Sequence, residues 1–164
     1  MHIVEAARML RGGGAEAVFQ ILGPAGVDNR TAIPPKILDQ WRSEGLVEYL
    51  GEADDVRPAV SQSDCVVLPS YREGLPRTLL EGSAMGKPLV ATDVPGCRDA
   101  VVDGETGYLC EARSAAALAE AMQAILNLTP TERLEMGNRG RAFVEGKFSE
   151  ELVAAKYLAA LGRD

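Results

Sequence analysis

Two glutamates lie on either side of a predicted helix start in the stretch PSYREGLPRTLLEG. Glu73 precedes Pro76 and Glu81 follows it. The unpaired N–H groups in the first turn of a helix, together with the helix dipole, favour an anion such as a phosphate. A carboxylate is a poor phosphate ligand, but it accepts hydrogen bonds well from neighbouring hydroxyl groups. The pattern therefore predicts a ligand with hydroxyls on both sides of a diphosphate, which describes a nucleotide sugar.

The predicted helix that carries Glu81 has clear start and stop signals. Pro76 fits the first helical position, where its missing N–H costs nothing, and Gly86 and Pro88 end the helix. Glu81 then lies about five residues into the helix, a rise of roughly 7 Å at about 1.5 Å per residue. The spacing alone leaves an alternative open, because two glutamates eight apart also occur by chance in an acidic chain.

The elements that position this stretch alternate between short apolar strands and helices. A parallel connection needs a crossover, which is usually helical, so the pattern predicts a Rossmann-like, doubly wound parallel α/β sheet of about five strands. Ligands of such sheets bind beyond the carboxyl ends of the strands. After Cys110 the chain reads as helical, with Ser114 and Ser149 as helix caps. The predicted strands are AVFQILG, LVEYLG, DCVVLPS, KPLVATD and GYLC, and the helical segments before Cys110 are HIVEAARMLR, AIPPKILDQWRSEG, DVRPAVSQS, LPRTLLEGSAMG and GCRDAVVDG.

A second glycine-rich stretch, GGGAEA at residues 12–17, matches the dinucleotide-binding pattern in letters but not in context. That fingerprint must follow a strand and open a helix, whereas this stretch follows a predicted helix and enters a predicted strand. We interpret it as a simple helix-to-strand turn. A dinucleotide-dependent oxidoreductase is therefore the least favoured class.

Composition sets further limits on the function. The chain has 164 residues, a net charge of -7 and 46% hydrophobic residues, which predicts one water-soluble globular domain over residues 1–164. The acidic balance argues against nucleic acid as a partner, and no apolar run is long enough to cross a bilayer. The three cysteines have no metal or disulfide spacing and are interpreted as reduced thiols. His2, the only histidine, has no predicted partner and excludes a histidine-based triad.

The residues PSYREGLPRTLLEGSAMGKPLVATDVPG, followed by VVDGETGYL, resemble the donor-binding domain of the retaining glycosyltransferases of group 1, family four, which have the GT-B fold. The likeness includes the Glu73–Pro76 segment and the pair Glu73 and Glu81. A weaker likeness runs from AVFQILGPAG through VEYLG, so most of the chain is covered.

The resemblance implies roles for individual residues. Glu73 would be the catalytic residue that accepts hydrogen bonds from the donor sugar, and Glu81 would bind the ribose diol. Backbone amides of the intervening segment would hold sugar and phosphate. Asp93, at the end of a predicted strand, could contact the donor or cap the next turn. The implied donor-binding set is Glu73, Gly74, Leu75, Pro76, Thr78 and Glu81.

The implied reaction is metal-independent transfer of a sugar, with retention, from a nucleotide-diphospho-sugar. No metal or other cofactor is expected, and a UDP-sugar is the favoured donor. The enzyme would be of hexosyl or N-acetylhexosaminyl type. The acceptor would be a bacterial surface polysaccharide or a lipid-linked glycan. We expect a cytoplasmic protein, with peripheral membrane association of a full-length form left open.

The resemblance also predicts that the chain is the C-terminal half of such an enzyme. Its first strand, the usual diphosphate-binding Arg and Lys, and an N-terminal acceptor domain would precede Met1, so the chain alone would be inactive. The missing strand would leave a gap that closes directly or is filled in a strand-exchanged dimer. A non-catalytic nucleotide-sugar-binding module is the alternative function that this sequence leaves open.

Overall fold

The computed structural model describes residues 2–26 and 33–162 of the chain. Strands and helices alternate up to Cys110, and the chain after it is helical, as the sequence predicts, but the described residues form three helices there where the caps Ser114 and Ser149 predict two. Ala32, the first residue of one predicted helix, lies outside the described residues. The helices are α1 His2–Gly12, α2 Pro35–Ser43, α3 Arg57–Gln62, α4 Arg77–Ala84, α5 Pro95–Ala100, α6 Ala115–Asn127, α7 Pro130–Phe148 and α8 Glu150–Ala160, and the strands are β1 Gln20–Leu22, β2 Glu48–Gly51, β3 Val66–Leu68, β4 Leu89–Thr92 and β5 Gly107–Cys110.

The five strands are all paired in parallel, but they form two sheets rather than one. Among the described residues β1 pairs with β2, while β3, β4 and β5 form a second sheet in that order. Within the part of the chain that the structure describes, β1 and β3 therefore do not pair with each other. Both sheets nevertheless contribute to one core, because Ile21 of β1 and Val67 of β3 pack against the same buried cluster.

The sheet of three strands positions the predicted site. All four residues of β4 are buried, and β4 packs with α4 and α5 through an apolar cluster. This cluster includes Leu79 of α4, Leu89 of β4 and Ala100 of α5, each fully buried. Because α4 and α5 both follow strands of the same parallel sheet, their first turns lie at the edge where the strands end.

Helix α7 was not resolved as a separate element by sequence reasoning. It begins at a capping box in which Thr129 and Glu132 satisfy each other's backbone N–H groups. Its glycines allow close packing on the end of α4, since a Cβ on Gly137 would lie only 1.8 Å from the carbonyl oxygen of Gly86. The capping box was the available sequence signal.

The last helix, α8, extends from the domain with an exposed apolar surface. Ser149 caps it as predicted, accepting a hydrogen bond from the N–H of Leu152. No described residue of α8 is buried, and the Tyr157 side chain is 68% exposed. The apolar residues of this helix are therefore exposed on the surface of the described domain. Among residues 2–26 and 33–162, no helix has the length and apolar character that a membrane span requires.

Candidate functional site

The segment between β3 and α4 carries both predicted glutamates close to a helix start. Pro76 is extended, with φ -74° and ψ 114°, so it precedes the first helical residue, Arg77, instead of occupying that position. Glu81 is then the fifth residue of α4, as predicted. The helix ends near Gly86, whose φ of +69° is a conformation that glycine adopts without strain.

Backbone donors are concentrated at this helix start. The N–H groups of Gly74, Leu75, Arg77 and Thr78 make no hydrogen bond to any other described residue, and α4 has no side-chain cap. The carbonyl of Pro76 instead accepts from Leu79 and Leu80, one turn further along. Free N–H groups at a helix start attract an anion. The predicted backbone donors and Pro76 therefore do lie together.

Glu73 is half-buried and is held by residues 69–76 between β3 and α4, which we call the Glu73 loop. The hydroxyl of Ser70 donates a hydrogen bond to Oε1 of Glu73. Ser70 is held in turn by Thr92, the last residue of β4, whose hydroxyl donates to the Ser70 carbonyl. Sequence reasoning missed both residues, because the contact between Ser70 and Thr92 spans two strands.

Gly96 closes the other side of the same loop. An added Cβ at this position would lie 1.8 Å from the carbonyl oxygen of Gly74 and 2.7 Å from that of Glu73. Only a glycine allows this approach, so α5 supports the loop through backbone contact. The signal in the sequence is the Pro95–Gly96 pair that follows a predicted strand.

Tyr71 anchors the outer part of the loop. The Arg113 guanidinium lies over its ring, 5.6 Å from the centroid, and the ring of His2 packs edge-on at 5.9 Å. The prediction that His2 has no partner is therefore wrong, since α1 brings it against a loop distant in sequence. The contacts of Tyr71 connect the Glu73 loop to α1 and to the segment before α6.

Glu81 borders a recess of about 410 Å³ that lies along the middle and end of α4. Residues 54–57, between β2 and the first turn of α3, form one wall, and Glu81, Ala84 and Met85 form the other. The Glu81 carboxylate is 3.4 Å from the guanidinium of Arg77 in an exposed pair. Exposed pairs of this kind stabilise little, so Glu81 can exchange Arg77 for another donor.

Asp93 is already paired at the edge of the site. Its carboxylate forms an ion pair with Arg98, and this hydrogen-bonded guanidinium lowers the pKa of Asp93. Capping of the next helix by Asp93 is not observed, because Val94 is the N-cap of α5 and no side chain caps that helix. Val94 has an extended backbone and occupies the N-cap position itself, so Asp93 lies one residue before the position from which a side chain caps the helix.

Burial raises the pKa values of the thiols beneath the site. The pKa of Cys110 rises to about 11 from an ordinary value of 9.0, and burial followed by the charge of Glu73 raises that of Cys97. The cysteines are free, as predicted. The chain thus keeps neutral thiols next to the Glu73 loop.

We expect the stability of the protein to fall between about pH 9 and pH 11, in part through Cys110. Below pH 9 its thiol is protonated in both states. Between the unfolded pKa of 9.0 and the folded pKa of about 11, only the unfolded state releases the proton. Two pKa steps correspond to about 2–3 kcal/mol of unfolding free energy. Urea unfolding of wild type and Cys110→Ala at about pH 8 and pH 11 should show a smaller loss in the variant, and equal losses would contradict the assignment.

Known proteins share both the sequence pattern and the fold. The chain is 30% identical over 125 residues to N,N'-diacetylbacillosaminyl-diphospho-undecaprenol alpha-1,3-N-acetylgalactosaminyltransferase of Campylobacter jejuni, an alignment covering 76% of this chain and 32% of that protein. It superimposes on sucrose-phosphate synthase from Thermosynechococcus elongatus with a TM-score of 0.83 and 25% identity, over 98% of this chain and 41% of the other. The Anabaena Alr3699/HepE structure in complex with UDP gives a TM-score of 0.83 at 20% identity, over 98% and 44% of the two chains.

The chain therefore spans about a third of the length of the curated relative, and less than half of each of these structures. The family model for glycosyl transferases group 1 matches residues 2–128, which includes β1 to β5 and the whole Glu73–Glu81 segment. That match extends over most of the chain and agrees with the site geometry, and this chain belongs to the glycosyl transferases group 1 family.

Proposed function

We propose that this chain binds the nucleotide-diphospho-sugar donor of a retaining glycosyltransferase, through the segment from Glu73 to Glu81. The observation that carries the proposal is the order of groups along this segment. A half-buried carboxylate, a set of free backbone N–H groups and a second carboxylate beside a recess follow one another. A nucleotide sugar presents sugar hydroxyls, a diphosphate and a nucleoside in the same order.

The nucleoside would bind at Glu81. The recess of about 410 Å³ lies within the size range of small-molecule sites, and Glu81 lies on its rim. The ribose diol would replace Arg77 as the hydrogen-bond donor to the Glu81 carboxylate. The base would then enter the recess beside residues 54–57, where backbone and carboxylate groups can form hydrogen bonds with the edge of the base.

The diphosphate would bind at the start of α4. Its oxygens would accept hydrogen bonds from the free N–H groups of the segment 74–78, with support from the helix dipole. These dipoles would also stabilise the charge that develops on the leaving diphosphate. We propose that transfer needs no metal ion, and that cationic side chains outside this chain share this role.

The transferred sugar would lie at Glu73. Its carboxylate has two oxygens, and only Oε1 accepts from Ser70, so Oε2 can accept from a sugar hydroxyl. A contact with the transferred ring can strengthen as positive charge develops on the sugar, and such contacts raise the rate. Glu73 is thus our candidate catalytic residue.

We propose a UDP-sugar as donor, carrying a hexose or an N-acetylhexosamine. The UDP complex of the Anabaena protein of the same fold and the N-acetylgalactosaminyltransferase from C. jejuni support this choice. The diphospho-undecaprenol in the name of the latter supports a glycan or lipid-carrier acceptor in bacterial surface polysaccharide or lipid-linked glycan synthesis. The acceptor would bind to a second domain and the reaction would take place in the cytoplasm. The chain by itself would bind the donor without catalysing sugar transfer. The alternative function is a non-catalytic nucleotide-sugar-binding module.

Calorimetry with UDP and with UDP-sugars tests this proposal. We expect the wild-type chain to bind UDP, UDP-glucose and the two UDP-N-acetylhexosamines, with the preferred sugar adding affinity over UDP. Glu73→Gln should weaken binding of that UDP-sugar by about tenfold, because a charged acceptor is lost, and change UDP affinity less than about twofold.

Two results would contradict the proposal in different ways. Equal losses of UDP and UDP-sugar affinity in Glu73→Gln would remove the sugar assignment of Glu73. If the wild-type chain bound neither ligand at millimolar concentration, the proposed function itself would be wrong. Glu145→Gln is the matched control, since this helix-surface glutamate lies in α7 and pairs only with Arg141 among the described residues.

A further inference from the structure

The carboxylate of Glu73 is connected to the interior of the sheet by a chain of two hydrogen bonds. The first joins the Ser70 hydroxyl to Oε1 of Glu73 within the loop. The second joins the Thr92 hydroxyl to the carbonyl of Ser70. A free glutamate side chain samples many rotamers, and a bound one must give up that freedom. Ser70 restricts the carboxylate before any ligand arrives.

The parallel register of the sheet brings Thr92 to this loop. Leu68, the last residue of β3, pairs with Ala91 of β4, so Thr92 lies one step beyond the final pair, where the loop begins. Thr92 is 3% exposed and belongs to a strand whose other residues are all apolar. A hydroxyl in such a position is unfavourable unless it is hydrogen-bonded. Its bond to Ser70 accounts for a threonine where valine would fill the same volume.

We infer that Ser70 and Thr92 are positioning residues for Glu73, which hold its carboxylate with one oxygen occupied and the other available to the donor sugar. This inference rests on the proposed function, because it concerns the group that would read the sugar. Pre-positioning lowers the cost of ordering the side chain on binding. The two residues should therefore affect affinity for the sugar and leave affinity for the nucleotide unchanged.

Thr92→Val and Ser70→Ala test the inference by calorimetry with UDP and with the UDP-sugar that the wild-type chain prefers. Each variant removes one hydroxyl with little change in shape. We expect each to lower UDP-sugar affinity about threefold to tenfold, the range for a lost hydrogen bond, with UDP affinity within about twofold of wild type. Thr92→Ser and Ser70→Thr keep the hydroxyl and should keep the wild-type preference.

A double-mutant cycle shows whether the effect passes through Glu73. If it does, adding Ser70→Ala to Glu73→Gln should cause little further loss of UDP-sugar affinity, since the group being positioned has already been changed. Additive losses would overturn the inference. Thermal unfolding of each variant shows whether a loss of affinity comes from misfolding. Ser70→Ala changes the loop and Thr92→Val changes the core, so a similar loss in both variants does not depend on one of them misfolding.

The remaining outcomes separate this inference from the proposed function. An unchanged UDP-sugar preference in both Thr92→Val and Ser70→Ala overturns the inference alone, and so do parallel losses of UDP and UDP-sugar affinity. Failure of the wild-type chain to bind UDP or any UDP-sugar overturns the proposed function, and this inference with it.

Discussion

Replacing Glu81 with alanine is expected to lower the affinity for UDP by about 10- to 150-fold. In the proposed complex the carboxylate accepts charge-assisted hydrogen bonds from the ribose diol, and losing such an interaction costs about 1.5–3 kcal/mol. Each 1.4 kcal/mol corresponds to a factor of ten in affinity. The stability of the free protein should change little, because the exposed pair that Glu81 forms with Arg77 stabilises weakly.

Calorimetric titration with UDP measures this effect, and Glu145→Ala provides the control. Glu145 forms the same type of exposed pair, four residues after Arg141 on α7, with the two groups 2.8 Å apart. Its replacement removes an equal charge and a similar pair away from the recess, so UDP affinity should stay near that of wild type. Similar losses in both variants would contradict the ribose contact, because the loss would then not depend on where the carboxylate lies.

The change Gly96→Ala should damage the donor site and the stability of the domain together. The new methyl group would overlap the carbonyl of Gly74, which lies 1.8 Å from the ideal Cβ position. The neighbours are backbone atoms, so the Glu73 loop or the start of α5 must move. Overpacking of this kind costs about 1–3 kcal/mol of unfolding free energy. We also expect at least about a tenfold loss of UDP-sugar affinity, because Glu73 and the N–H groups near Gly74 would be displaced.

Gly146→Ala is the matched control for Gly96→Ala. Gly146 lies in α7, and its added Cβ would meet no atom within 4 Å. Alanine is the better helix former, so this variant should be as stable as wild type or slightly more stable. Urea unfolding and UDP-sugar titration of both variants provide the comparison. If Gly96→Ala kept the unfolding free energy and the UDP-sugar affinity of the wild type, the close approach of α5 would not support the loop.

Local sequence signals predicted most elements because each depends on neighbours within about four residues. Ser114 and Ser149 cap the helices that they were expected to cap. GGGAEA ends α1 and turns toward β1, with Gly14 at a φ of +83°, as its context indicated. The position of Glu81 in α4 also followed from local start and stop signals.

Helix α7 shows where local reasoning failed. Its three glycines lower helix propensity, and its apolar residues do not form one clear face. Tertiary packing explains two of these glycines, since Gly137 lies against Gly86 and Gly140 lies near Ser83 of α4. Without the partner helix, the same glycines favour a loop.

The sequence by itself determined the alternation of strands and helices, the family pattern and the placement of Glu73 and Glu81 around one helix start. Only the tertiary structure decided that the strands divide into two sheets, that residues 54–57 form a recess with Glu81, and that Thr92 and Gly96 hold the Glu73 loop. The physical reason is the separation in sequence over which each kind of interaction acts. Helix capping and periodicity act along the chain, whereas sheet register and backbone contact join residues about twenty or more positions apart, and no local pattern specifies them.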